Sequence, residues 1–189
     1  GIQRQHLIPT PRVGGVAIWL GMVFGTLTCT DDLRVCVSVW AAGTPVFVIG
    51  LAEDLFKTVG VRARLMGSML SGLVGWWLTG YTLNHLHWPL ADALLLEQPA
   101  LALALTCFAV AGVTNALNIV DGFNGIAGGT ALVITAAFLY IAQAAGDHEL
   151  VTTCWVLMGA LGGFLVLNWP QGRLFLGDGG AYLAGCSVA

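Results

Sequence analysis

VCVSVWAAGTPVFVIGLAED (Val35–Asp54) is the stretch that decides the fold. From Val35 to Ala52 it holds no Asp, Glu, Lys or Arg, and it then sets two acids side by side. A charge-free apolar run of this kind approaches the roughly 20 residues a helix needs to cross a bilayer. The pattern recurs at Val13–Cys29, Leu65–Ala91, Gln98–Val120, Gly122–Gly146 and Leu150–Gly172. One such run is compatible with a core helix of a soluble protein. Six in succession within 189 residues argue against that reading.

Composition agrees. The chain is 57% hydrophobic and 9% charged, where soluble domains carry about 25% charged residues. Its mean hydropathy is +0.84. The expected architecture is all-α, a polytopic transmembrane bundle of about six spans with a truncated seventh at Gly179–Ala189. No Pro/Ser linker, low-complexity tract or repeat divides the chain, so residues 1–189 read as a single transmembrane catalytic domain. The start at Gly1 and the end inside an apolar segment lead us to expect further elements at both ends.

Basic residues set the orientation. If connections alternate sides, Arg4, Arg12, Lys57, Arg62, Arg64 and Arg173 share one side and Arg34 alone takes the other. Positive residues collect on cytosolic loops, which makes the first side cytosolic. Glu53, Asp54, Asp121 and Asp178 then face the cytosol, and all other acids face outward. Intramembrane or juxtamembrane carboxylates are costly and mark functional sites. The count requires Tyr81–Gln98 to be interfacial, with an amphipathic Leu90–Leu96 piece, because a seventh span there would flip every later loop. The five cysteines show no metal-ligand spacing.

Four short segments carry the polar residues. His6-Leu-Ile-Pro-Thr-Pro-Arg12-Val-Gly-Gly15 is a stiff cationic lead into the first helix, or simply a juxtamembrane anchor. Glu53-Asp54 is followed by Lys57, Arg62 and Arg64. Internal ion pairs are the plain explanation, but adjacent carboxylates repel and are best explained by a nearby cation. Asn115, Asn118, Asp121 and Asn124 recur every three residues, a polar stripe longer than a turn or cap requires. Asp178 sits between glycines in Phe175-Leu-Gly-Asp-Gly-Gly180, as a helix N-cap or as a ligand for a metal and diphosphate.

PTPRVGG (Pro9–Gly15), the acidic pair with its trailing bases, NALNIVDGFNG (Asn115–Gly125) and FLGDGG (Phe175–Gly180) together resemble the polyprenyl-phosphate N-acetylhexosamine-1-phosphate transferases. The resemblance covers nearly the whole chain in the family's motif order. Glu53 replaces the family's usual first Asp and Asn124 replaces a second Asp. Both departures resemble the bacterial undecaprenyl-phosphate branch that primes O-antigen and capsule glycans rather than the related lipid-I synthase. The family's later His-rich cytosolic loop is absent from this sequence.

The resemblance implies transfer of an N-acetylhexosamine-1-phosphate from a UDP-sugar to undecaprenyl phosphate in the bacterial inner membrane, with UMP as by-product. Phosphoryl transfer chiefly needs positioning and charge neutralisation, commonly with a metal. Mg2+, or Mn2+ in its place, is the expected cofactor, with Asp178 as first ligand and Asp54 as ligand or ligand-orienting group. Glu53 is the candidate proton acceptor. Asn118, Asp121 and Asn124 would engage the donor. Lys57, Arg62 and Arg64 would neutralise phosphate, and Arg12 and His6 would lie toward the lipid phosphate. The bilayer is a partner, a homodimer is one assembly open to it, and no nucleic-acid partner is expected. An ion-coupled transporter and an inactive homologue are the alternatives.

Overall fold

The computed structural model describes residues 10–28 and 34–189. Every regular element among them is a helix: α1 (Gly14–Thr28), α2 (Arg34–Phe56), α3 (Val61–Thr79), α4 (Pro89–Glu97), α5 (Pro99–Val120), α6 (Ile126–Ala145), α7 (His148–Asn168) and α8 (Gly177–Ser187). Four of them, α2, α5, α6 and α7, are long and apolar enough to cross a membrane, and α1 is a shorter apolar helix. The chain is a polytopic membrane helix bundle. Large side chains such as Phe24, Phe108, Val133, Tyr140 and Trp155 point outward, as suits helices whose solvent is lipid tail.

Local chemistry explains where the helices stop. Gly80 and Gly146 take the left-handed conformation after α3 and α6 and donate back to the last turn. Asp147 caps α7 by accepting from the Leu150 amide at 3.0 Å. Pro45 lies inside α2. The Val46 amide beside it donates to Ser71 Oγ on α3 at 3.3 Å, one way in which a neighbouring helix serves backbone groups around a membrane proline.

One boundary follows the sequence reading and one departs from it. The charge-free run Leu65–Ala91 breaks at Gly80, and only the nine-residue α4 follows, too short to cross a bilayer. Tyr81–Gln98 is therefore not a span. The acids also ride on helix ends rather than in loops: Glu53 and Asp54 lie in the last turn of α2, and Arg62 and Arg64 in the first turns of α3.

The short helix α8 is the core. Gly177 and Gly179–Gly185 are buried, and α8 packs against α2, α5 and α1. Small residues let the backbones meet. A Cβ on Gly50 would lie 2.6 Å from Gly179 Cα, and one on Gly15 would run into the Gly180 backbone. Ile18, Phe47, Leu117, Leu161, Phe164 and Leu183 fill the remainder. Trp19 stacks on Phe47 at 6.0 Å, meets Trp40 edge-on at 5.9 Å and donates to Thr44 Oγ1 at 3.1 Å.

Candidate active site

The four polar segments meet at one end of the bundle. The Phe175 amide donates to Pro11 O at 3.0 Å, the Gly14 amide to Phe175 O at 3.0 Å, and the Gly15 amide to Leu176 O at 3.1 Å. The PRVGG and FLGDGG segments are thus stitched backbone to backbone. Gly177 then turns the chain into α8 with φ +74, and a Cβ there would lie 2.5 Å from Asp54 Oδ2 and 2.9 Å from Arg12 O. Only glycine fits both the angle and the space.

Asp178 does not cap its helix. α8 begins at Gly177 with Leu176 before it, and no side-chain cap bond is made there. Asp54 serves that end instead: its Oδ2 accepts from the Gly179 amide at 2.9 Å, across 125 residues of sequence. This leaves the Asp178 carboxylate to side chains. Arg64 Nη1 donates to its Oδ2 at 3.0 Å, and Asn118 Nδ2 to its Oδ1 at 3.4 Å. Residues from α3 and α5 therefore converge on the acid of α8, with Asp54 of α2 at the same helix end.

The other candidates take graded positions. Lys57, in the left-handed region with φ 56, places Nζ 3.8 Å from Asp54 Oδ1. Glu53 Oε2 accepts from the Val59 amide at 2.8 Å and folds the α2–α3 connection. Arg12 and Arg62 are exposed, and Arg12 lies near enough to Asp121 for its charge to be felt there. His6 lies outside the described residues. The Asn stripe divides: Asn118 reaches Asp178, whereas Asn115 donates to Ala111 O at 2.7 Å and Ser68 Oγ at 3.3 Å, holding α5 to α3.

Asn124 Nδ2 donates to Pro170 O at 3.3 Å, so it clasps the α7–α8 connection. Beside it stands Asn168, which sequence reasoning left unused. Asn168 is 5% exposed; its Oδ1 accepts from the Gly125 amide at 2.6 Å and its Nδ2 donates to Leu174 O at 2.8 Å. It ties the DGFNG turn to the strand of chain leading into FLGDGG. The signal was present: an amide closing an apolar run just before Pro170 and Gly172.

Burial pushes the Asp121 carboxyl up to about 6, with the Asp178 charge adding, Arg12 opposing and Asp54 adding again. The folded protein thus holds this proton more tightly than the unfolded chain. Its stabilising contribution is complete below the ordinary carboxylate range and is lost as pH rises through about 6. In metal-free detergent solution, Asp121→Asn should therefore gain melting temperature relative to wild type as pH goes from 4.5 to 7.5. Parallel melting curves across that window would refute the assignment.

A divalent cation fits the acids. Asp54 has a side chain only 3% exposed, and its Oδ1 is buried without a hydrogen-bond partner. Among the described residues no three His, Cys, Asp or Glu side chains form a metal-holding group. Mg2+ does not need one, since it is usually held by one or two carboxylates with waters and substrate phosphates. Asp54 and Asp178 are the two carboxylates that would hold it.

Acids, a guanidinium and amides are thus gathered at one end of an apolar helix bundle. The chain belongs to glycosyl transferase family 4, which matches residues 36–189. It is 32% identical over 204 residues to the phospho-N-acetylmuramoyl-pentapeptide-transferase of Moorella thermoacetica, covering 98% of this chain and 62% of that protein. It is 28% identical to the protein of the same name from Aquifex aeolicus, covering 95% of this chain and 57% of that one. A probable undecaprenyl-phosphate N-acetylglucosaminyl 1-phosphate transferase of Bacillus subtilis is 26% identical over 183 residues, at 95% and 49% coverage. The chain thus spans roughly half to two thirds of the length of these relatives.

Proposed function

We propose that the protein transfers an N-acetylhexosamine-1-phosphate from a UDP-sugar to undecaprenyl phosphate at the cytosolic membrane face, releasing UMP and starting an envelope polysaccharide. The observation that carries this reading is the convergence on Asp178 of Arg64 from α3 and Asn118 from α5, with Asp54 from α2 at the adjoining helix end. Membership of a sugar-phosphate-transferring family supports the reaction class. The Glu53-Asp54 pair and Asn124 favour the O-antigen and capsule branch over lipid-I synthesis. The excess of basic residues at this end favours the cytosolic side.

In the reaction, an oxygen of the lipid phosphate forms a bond to the sugar-bearing phosphorus of the donor. The bond from that phosphorus to the bridging oxygen breaks, and UMP leaves with the bridging oxygen. Asp178 and Asp54 would hold Mg2+, which when bound supplies neutralisation of the diphosphate. Arg64 offers a fork suited to phosphate and Lys57 a point charge. Positive partial charge at the start of α8 faces the same place. Asn118 and Asp121 would orient the nucleotide diphosphate, and Asn118 also holds Asp178 in position. A phosphate monoester has a second pKa of about 6, so the acceptor is largely dianionic at neutral pH and asks little of Glu53 as a base. The isoprenoid tail would lie along the apolar helix faces.

The test is the full-length protein in membranes with labelled UDP-GlcNAc, UDP-GalNAc or a 6-deoxy analogue, undecaprenyl phosphate and Mg2+. Label appearing in lipid together with UMP is the expected result. Sugar phosphate released to water without lipid labelling would overturn it.

A further inference from the structure

We propose that Arg64 is the built-in counter-ion of Asp178, and that a divalent cation binds this carboxylate only as the guanidinium gives way. The inference rests on the metal-dependent reading above. Its ground is that both Asp178 oxygens are already engaged, Oδ2 by Arg64 Nη1 at 3.0 Å and Oδ1 by Asn118 Nδ2 at 3.4 Å. A Mg2+ ion on Oδ2 at its usual distance of about 2.1 Å would lie no more than about 5 Å from Nη1. Two positive groups at that separation in a half-buried site, with side chains 22% and 27% exposed, repel strongly.

The guanidinium is not fully satisfied. Besides Asp178 it shares a hydrogen bond with Tyr182, but Arg64 Nε is buried with no hydrogen-bond partner, so its fork is only partly used. The backbone of Arg64 is held separately, its carbonyl accepting from Ser68 Oγ at 3.0 Å. On this proposal the side chain moves off Asp178 while α3 stays in place, with Tyr182 as its remaining partner. A diphosphate arriving with the cation offers the freed fork a bidentate partner. Metal alone then competes with Arg64, whereas metal and donor together satisfy both acid and guanidinium. Lys57 does not play this part, because its pair with Asp54 is longer, at 3.8 Å, and the lysine is 55% exposed.

The experiment is Mn2+ titration of the full-length protein in detergent, read by electron paramagnetic resonance without nucleotide. Arg64→Gln should bind Mn2+ on the order of tenfold more tightly than wild type, the scale on which one nearby charge alters a carboxylate's proton affinity. Arg62→Gln, which removes the same charge from an exposed position, should stay within about threefold. In wild type, Mn2+ should also quicken phenylglyoxal modification of Arg64 followed by mass spectrometry, a readout that needs no variant to fold. Equal or weaker Mn2+ binding by Arg64→Gln, or an unchanged rate of Arg64 modification, overturns the proposal and leaves the transferase reading intact. If wild type binds no Mn2+ even with UDP-N-acetylglucosamine, the metal-dependent reading falls and this proposal falls with it.

Discussion

Asp178→Asn should abolish sugar-phosphate transfer and leave the melting temperature almost unchanged. The side chain makes no cap bond at the start of α8; the Gly179 amide there is served by Asp54. Asparagine keeps the shape and an oxygen for Arg64, so what disappears is the charge. The ion pair it loses is partly solvated, and such pairs contribute about 0–1 kcal/mol to stability. Loss of an anionic group that organises charge at a phosphoryl centre costs far more in rate. We expect a fall of about a thousandfold or greater, equivalent to about 4 kcal/mol in the barrier. Transfer measured beside thermal unfolding in detergent decides the matter: retained turnover would remove Asp178 from the chemistry.

Gly50→Val should do the reverse and disable the protein through its fold. The Cβ would meet Gly179 Cα at 2.6 Å, Gly179 N at 2.7 Å and the Asp178 carbonyl carbon at 2.8 Å. All are backbone atoms, so no rotamer change relieves the clash, and α8 must withdraw from α2. Overpacking of a tight core costs about 1–3 kcal/mol or more. Withdrawal would also stretch the bond from the Gly179 amide to Asp54. We expect a large drop in melting temperature and loss of activity together. Gly163→Ala is the control: nothing lies within 4 Å of its Cβ position, and removing a helix glycine should leave stability unchanged or slightly raised. If both variants melt alike, the α2–α8 contact is not as close as described.

Much of this was legible in the chain because membrane helices leave a coarse record. Charge-free runs mark α2, α5, α6 and α7 directly, and the four motifs name the acids that meet. The helix that organises the site was much harder to read. α8 has 11 residues, several of them glycine, and neither its length nor its pattern distinguishes a core helix from a fraying end. Equal spacing also hid unequal roles, since Asn115 faces α3 and Asn118 faces Asp178. That difference depends on how α5 is rotated against its neighbours. Asn168 showed only as an amide closing an apolar run; its partners are backbone atoms of Gly125 and Leu174, which the sequence does not name.

The stitching of Pro11–Gly15 to Phe175–Leu176 bears on how the protein is made. A ribosome delivers α1 and α2 to the membrane long before α8 exists, yet both pack on α8. Until α8 emerges, Gly15 and Gly50 lack their packing partner and Asp54 lacks the Gly179 amide. The close packing of α1 and α2 is therefore complete only once α8 fills the space between them.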